Sequence, residues 1–416
     1  MRLRVGLLLA VLLAAVLVLT VLPVGTPNRS DDRGTLAGGG DPTDTDQQPR
    51  QTSDGVPGEI AAVVPMYLRG RPKVDHMRKW RIAPGVRFQR WDRTDARGQI
   101  RAYLLRIDPS VKGVRIDYAS GAQVPDRAPL TRLLRRDRAV AGVNGGFFDI
   151  YDTGAPLGVG QDRQRGFLHA ARHTWNNAFW TDRDGTSRIG KVPLEASVAE
   201  YPQLPLTNVN SPRARAGAIG VWDRKWGETA GYAVTDGQKS NVRMVVVESD
   251  RVVANTTDLT TGKAIRGTVL VGRGHGASQL ERLRVGSTAT IRWRLAKRPV
   301  FAISGEKVLV RGRKVAVSDD RFLHPRTAVG IDRDTGEILL LAIDGRQPHS
   351  RGYTMVELAR MMKRLGAEVA LNLDGGGSTT IAGRDRRKRV RVLNQPSDGS
   401  PRSVPDGIAV IYRKPG

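Results

Sequence analysis

The 416-residue sequence contains no cysteine, which excludes disulfides, thiolate metal sites and cysteine nucleophiles together. Aromatic residues make up only 5% of the chain, too few to favour a stacking platform for single-stranded nucleic acid. Acidic residues are also short, 41 against 67 Lys and Arg, leaving a net charge of +26. Arginine supplies most of that excess. Such a balance points to an anionic partner: nucleic acid, an acidic membrane or polymer, or a phosphorylated substrate. Long apolar runs are absent after the N-terminus, where Val5 to Leu22 is interrupted only by Gly6 and Thr20 and preceded by Arg2 and Arg4.

That run reads as an export signal. No small-x-small cleavage pattern follows in Leu22-Pro23-Val24-Gly25, so residues 1–24 are expected to be an uncleaved membrane anchor with the rest outside; a cleaved, secreted form is the alternative. Export demotes nucleic acid as a partner and promotes anionic cell-envelope polymers. Residues 25–58, with stretches such as Gly38-Gly39-Gly40-Asp41-Pro42, cannot bury a core and read as a disordered linker. Apolar content returns from about Ala61, and residues 59–413 are expected to form one catalytic domain. Its short Val-, Ile- and Leu-rich runs predict strands near 102–107, 114–118, 139–143, 242–247, 288–295, 338–343, 369–373 and 407–412. The expected class is α+β: mixed β-sheets with a few helices.

Two acidic turns, Asp182-Arg183-Asp184-Gly185 and Asp332-Arg333-Asp334-Thr335-Gly336, lack the Glu that closes a calcium loop and read as hairpin turns. His169 and His173 have the i, i+4 spacing of a helical zinc pair, but neither the intervening Glu nor a third ligand is evident. No metal and no cofactor is assigned.

The chemistry concentrates in an internal echo, in which a helix and a buried strand twice lead into a polar residue followed by glycines. The first instance is Asn144-Gly145-Gly146-Phe147-Phe148; the second is Asp374-Gly375-Gly376-Gly377-Ser378. Glycines past a strand end let backbone approach a ligand and expose amides that can cradle an anion. Neither loop is a Walker A motif, because no Lys follows. Glu357 lies in Thr354-Met355-Val356-Glu357, a capping box that opens a helix, and is read as structural. Arg326, in His324-Pro325-Arg326-Thr327, and Arg346, in Asp344-Gly345-Arg346, sit at predicted strand ends and suit phosphate. Six cations between Arg384 and Arg391 face only Asp385. They form either a solvated hairpin tip or a rim that gathers a polyanion.

Asn144-Gly145-Gly146-Phe147-Phe148, Pro325-Arg326-Thr327-Ala328-Val329-Gly330, Asp344-Gly345-Arg346 and Asn372-Leu373-Asp374-Gly375-Gly376-Gly377-Ser378 together resemble the phosphodiester glycosidases. This is the family related to the lysosomal uncovering enzyme that removes N-acetylglucosamine from phosphodiester-linked mannose. One departure is Ser304-Gly305-Glu306-Lys307, where a glycine-richer stretch ending in Pro would be expected. The resemblance implies a mixed α and β catalytic domain whose Asn and Asp loops meet in one cleft, and a target bond between an anomeric carbon and a phosphate oxygen. On that bond Asp374 is expected to act as base or nucleophile, with Asp344 the alternative carboxylate or else the residue that orients Arg346. Arg326 and Arg346 would bind phosphate. Asn144 and Ser378 would position substrate, with Thr327, Gly145, Gly146, Gly375, Gly376 and Gly377 in the binding surface. The expected substrate is a sugar-1-phosphodiester in an anionic envelope or extracellular glycopolymer; the rival reading is a non-catalytic protein that binds such a polymer.

Overall fold

The computed structural model describes residues 54–69 and 73–416, which fall in one compact unit, Gln47–Gly416. The expected anchor and most of the expected linker lie outside the described residues. Among the described residues no helix is long and apolar enough to cross a membrane. Among the described residues the architecture is largely β: many short strands are accompanied by three short α-helices, Leu130–Arg136, His275–Leu280 and Met355–Arg364.

The alternation of side chains along a strand builds the layers. Ile338–Ile343 is buried along its whole length between Gly98–Ile107 and Arg326–Ile331 in an eight-stranded sheet. Its Ile338, Leu340 and Ala342 enter one core, and Leu339, Leu341 and Ile343 enter another beneath helix Met355–Arg364. That helix begins with the expected capping box, Thr354 and Glu357 bonding reciprocally. Asp406–Tyr412 does the same in a five-stranded sheet ordered Val390–Val392, Ile381–Arg384, Ala141–Asn144, Asp406–Tyr412, Val114–Ser120. Ile408 and Val410 join the core shared with the eight-stranded sheet, whereas Ala409 and Ile411 pack with Leu130, Leu133 and Leu134 of helix Leu130–Arg136. The result is helix, sheet, sheet, helix, with the two sheets facing one another across a common core. A ten-stranded sheet, from Ser187–Lys191 to Arg251–Thr256, contributes Phe179, Trp222, Phe301 and Ile303 to the same core.

Both acidic turns join paired antiparallel strands: Asn177–Thr181 with Ser187–Lys191, and Arg326–Ile331 with Ile338–Ile343. His169 and His173 do not share a helix. His169 is buried in strand Gly166–Ala171, with ring nitrogens 2.7 Å from the Tyr118 hydroxyl and 2.7 Å from the Gly158 carbonyl oxygen.

Candidate active site

The second glycine loop is the passage between the two facing sheets. Val369–Asn372 belongs to the eight-stranded sheet and Ile381–Arg384 to the five-stranded one, so residues 373–380 must cross from one to the other. Asn144, at the end of strand Ala141–Asn144, fastens this crossing. Its Nδ2 donates to the Asp374 carbonyl at 2.8 Å, and its Oδ1 accepts from Thr327 Oγ1 at 2.8 Å and Thr380 N at 3.0 Å. Asp374 N in turn donates to the Gly145 carbonyl at 3.0 Å. The two loops of the sequence echo therefore touch.

The pocket beside this junction has a volume of about 160 Å³ and is walled by Arg326, Arg346 and Arg402, the carboxylates of Asp374 and Glu306, His324, Gly375 and Gly376, and apolar Phe147 and Met355. Asp54 and Val56 of the N-terminal segment enter it. The Asp54 carboxylate is an anion held in the site. It accepts from Arg346 at 2.6 and 3.3 Å and from Gly377 N at 3.1 Å, and Arg402 Nη2 lies 3.6 Å away. Burial raises its pKa, but these donors prevail and hold it at about 2. Residue 54 thus belongs to the pocket, although composition placed it in the linker.

Two glycines make that contact possible. Gly376 has φ +55°, and a Cβ there would come within 2.6 Å of Asp54 Oδ2; a Cβ on Gly377 would collide with Arg402 and Asp398. These are the anion-cradling positions the triple glycine suggests. Gly375 serves a different end, since its Cβ would lie 2.7 Å from the Pro325 carbonyl oxygen.

Arg326 is a half-buried cation with no carboxylate partner among the described residues. Its Nε donates to the Tyr353 carbonyl at 2.9 Å and its Nη2 to that of Phe322 at 3.3 Å, and burial lowers its pKa to about 10. A desolvated guanidinium in a pocket wall gains most from an incoming anion. His324 is held neutral, its pKa lowered to about 4 by burial and by Arg326 and Arg346; its Nδ1 therefore accepts from Arg346 Nη2 at 3.0 Å. Burial pushes Asp374 up to about 7 against a hydrogen bond from Ser378 and the pull of Arg402, the range an acid–base group needs at neutral pH. Thr379 Oγ1 and Thr380 Oγ1, in the same loop, are buried without hydrogen-bond partners among the described residues.

Several expected site residues stand behind the pocket rather than in it. Asn144 and Thr327 bond to each other and to the protein. Gly145 and Gly146 make room for Asp406, Ile303 and Ser304, not for a ligand. Asp344 is buried, bonding Tyr103 Oη at 2.7 Å, Asn394 Nδ2 at 3.1 Å and His349 Nε2 at 3.3 Å. Asn394 Nδ2 also donates to the Thr379 carbonyl at 3.0 Å, so Asp344 braces the far end of the glycine loop and does not orient Arg346.

Sequence reasoning missed Arg402, Asp54, Glu306 and Asp406. Glu306 does lie in the stretch that departs from the family pattern, which was the available signal. Asp406 Oδ1 accepts from Gly146 N at 2.9 Å, and its Oδ2 lies 2.6 Å from Tyr118 Oη. Burial raises Asp406 to about 7 and lowers His169 to about 4. A protonated Asp406 satisfies the whole chain: it donates to Tyr118, Tyr118 to His169 Nε2, and His169 Nδ1–H to Gly158. The first glycine loop rests on this chain.

The pocket thus sets a buried carboxyl poised near neutrality beside a cluster of arginines that holds an anion. Residues 213–411 match the family model described as phosphodiester glycosidase. The match includes Asp374 and the arginines and stops short of Asn144. The chain is 34% identical over 95 residues to an uncharacterized SPbeta prophage-derived protein of Bacillus subtilis, covering 23% of this chain and 14% of that one. It is 43% identical over 67 residues to the N-acetylglucosamine-1-phosphodiester alpha-N-acetylglucosaminidase of Bos taurus, covering 15% of this chain and 12% of the enzyme. These matches thus span less than a sixth of each curated relative. A hypothetical protein from Synechocystis shares the fold, with a TM-score of 0.68 at 22% identity over 82% of this chain and 64% of that one.

Proposed function

We propose that the protein hydrolyses the bond between an anomeric carbon and a phosphate oxygen in a sugar-1-phosphodiester. The observation that carries this reading is the Asp54 carboxylate, an anion held by Arg346, Arg402 and Gly377 N in the pocket that Asp374 lines. Placed there, a phosphodiester would meet the same donors and Arg326. Water attacks the anomeric carbon, Asp374 takes its proton, and the carbon–oxygen electron pair leaves with the phosphate. The result is a reducing sugar and a phosphate monoester. The arginines offset charge on the departing group, so less acid assistance is required than for an ordinary glycoside. Glu306 supplies a second carboxylate beside the developing positive charge of the sugar, and Phe147, packed on Trp175 with ring centroids 5.2 Å apart, offers the sugar an apolar face.

The larger substrate we propose is an anionic glycopolymer of the cell envelope, encountered outside the cytoplasmic membrane. The net charge and the export-like N-terminus support it. The test is incubation with a panel of sugar-1-phosphodiesters, following release of reducing sugar by the protein and by Asp374→Asn. Turnover that the substitution abolishes supports the reading. Tight binding of the panel with no turnover by the unmodified protein would establish a binding protein in its place.

A further inference from the structure

Six cations converge on an open trough of about 760 Å³, well away from the pocket. Arg135 and Arg138 come from the end of helix Leu130–Arg136 and the turn after it. Arg384, Lys388, Arg389 and Arg391 come from the hairpin that joins Ile381–Arg384 to Val390–Val392. The trough opens on the helix-covered side of the five-stranded sheet. Strand Ile381–Arg384 connects it with the active site, because Thr380 N bonds Asn144 at one end and Arg384 N bonds the Val140 carbonyl at the other. Four strand residues span roughly 13 Å.

Several arginines elsewhere in the fold are paired with carboxylates. Arg97 pairs with Asp320 and Glu357, Arg101 with Asp92, and Arg351 with Asp95 and Glu357. No acid lines the trough among the described residues, and the nearby Asp385 is engaged by the turn. Its Oδ1 accepts from Arg387 N at 2.8 Å and Arg389 N at 2.9 Å, and its Oδ2 lies 3.0 Å from Arg391 Nε and 3.9 Å from Arg389 Nε. Among the described residues, no carboxylate pairs with Arg135, Arg138, Arg384 or Lys388. Two segments distant in sequence thus hold like charges together, four of them without an acidic partner, at a cost in repulsion that a bound anion would relieve. A single phosphate is satisfied by two or three donors, and this trough is too wide and too evenly charged for one. Its match is an anion whose charges repeat along a chain.

The geometry points to a second binding site: the trough holds a linear glycan polymer whose sugars are joined by phosphodiesters, while another repeat of the same polymer occupies the pocket. The identity of the polymer rests on the proposed function; the trough as a polyanion site does not. Ten-fold or greater effects are expected because each phosphate contact releases bound counterions, and three lost cations flatten the log–log salt dependence by about two to three.

The test compares the protein with the triple variant Arg135→Gln, Lys388→Asn and Arg389→Gln. Asn suits position 388, where φ is +60°. A labelled glycan phosphodiester polymer and its single repeat are titrated by fluorescence anisotropy at low and high salt, with single-stranded DNA and phosphatidylglycerol vesicles as competitors. Matched thermal midpoints establish that the variant is folded. The expected result is a loss of about ten-fold or more in polymer affinity at low salt that closes at high salt, with the single repeat bound as before. Unchanged polymer affinity, an equal loss on the single repeat, or DNA or vesicles displacing the polymer at lower concentration would each overturn the assignment. If neither protein releases reducing sugar, the catalytic reading fails while the binding comparison still decides the trough.

Discussion

At the scale of single residues, the candidate chemistry turns on two carboxylates in opposite protonation regimes. Burial raises Asp374 to about 7, whereas Arg346 and Gly377 N hold Asp54 at about 2 despite its burial. As a base, Asp374 must be ionised, so kcat/KM for a small sugar phosphodiester should climb as pH rises through about 7 and level off above it. A pH–rate profile already flat from pH 5 would remove Asp374 from that role. Asp54 occupies the position proposed for the phosphate and must yield it. Asp54→Ala should therefore lower KM several-fold and leave kcat unchanged, since the residue competes for Arg346 and Arg402 without touching the reacting bond. A raised KM in that variant would mean that Asp54 helps to bind substrate.

At the scale of elements, Asn144 matters for what it joins. One side chain links strand Ala141–Asn144 to Arg326–Ile331 through Thr327, to the start of Ile381–Arg384 through Thr380 N, and to the glycine loop through the Asp374 carbonyl. Asn144→Ala leaves those partners buried without it and should cost about 3 kcal/mol in denaturant unfolding, with activity lost through displacement of Asp374. Unaltered stability would show that water replaces the amide. The same residue marks how far the sequence could be read. Continuous apolar runs such as Ile338–Ile343 and a period-3.6 segment with a capping box located strands and a helix, because local pattern determines local structure there. Asn and Asp before glycines located the junction of the two loops. The direction in which each polar group faces depends on pairing between distant strands, so the Asn144 amide turned inward and Asp344 braced Asn394, which spacing could not show. Arg402 and Asp54 carry no motif and reach the pocket only through tertiary contact. The helices are few, as expected, and the sheets dominate more than an α+β label conveys, since most turns between strands are too short to hold a helix.

At the scale of the whole molecule, the family-matched stretch 213–411 is not a self-sufficient half. Its strand Ile338–Ile343 needs Gly98–Ile107 as neighbour, and Ile381–Arg384 and Asp406–Tyr412 are both paired to Ala141–Asn144, both partners lying outside the matched residues. The common core is likewise built from both parts, with Phe88, Tyr103, Leu105, Ile116 and Val143 packed among Leu340, Leu371, Ile408 and Val410. A fragment beginning at residue 213 would leave the inner edges of two sheets unpaired and expose those apolar faces, which favours aggregation over folding. Such a fragment should show no cooperative thermal transition and no retention of labelled sugar phosphodiester, while a chain beginning at residue 54 should show both. If the fragment melts cooperatively, the two sheets are not the single folding unit that their shared core implies, and the site would have to be assembled without Asn144. The comparison thus tests at one stroke whether the glycine loop is positioned by its own half of the chain or by the strand that arrives from the other.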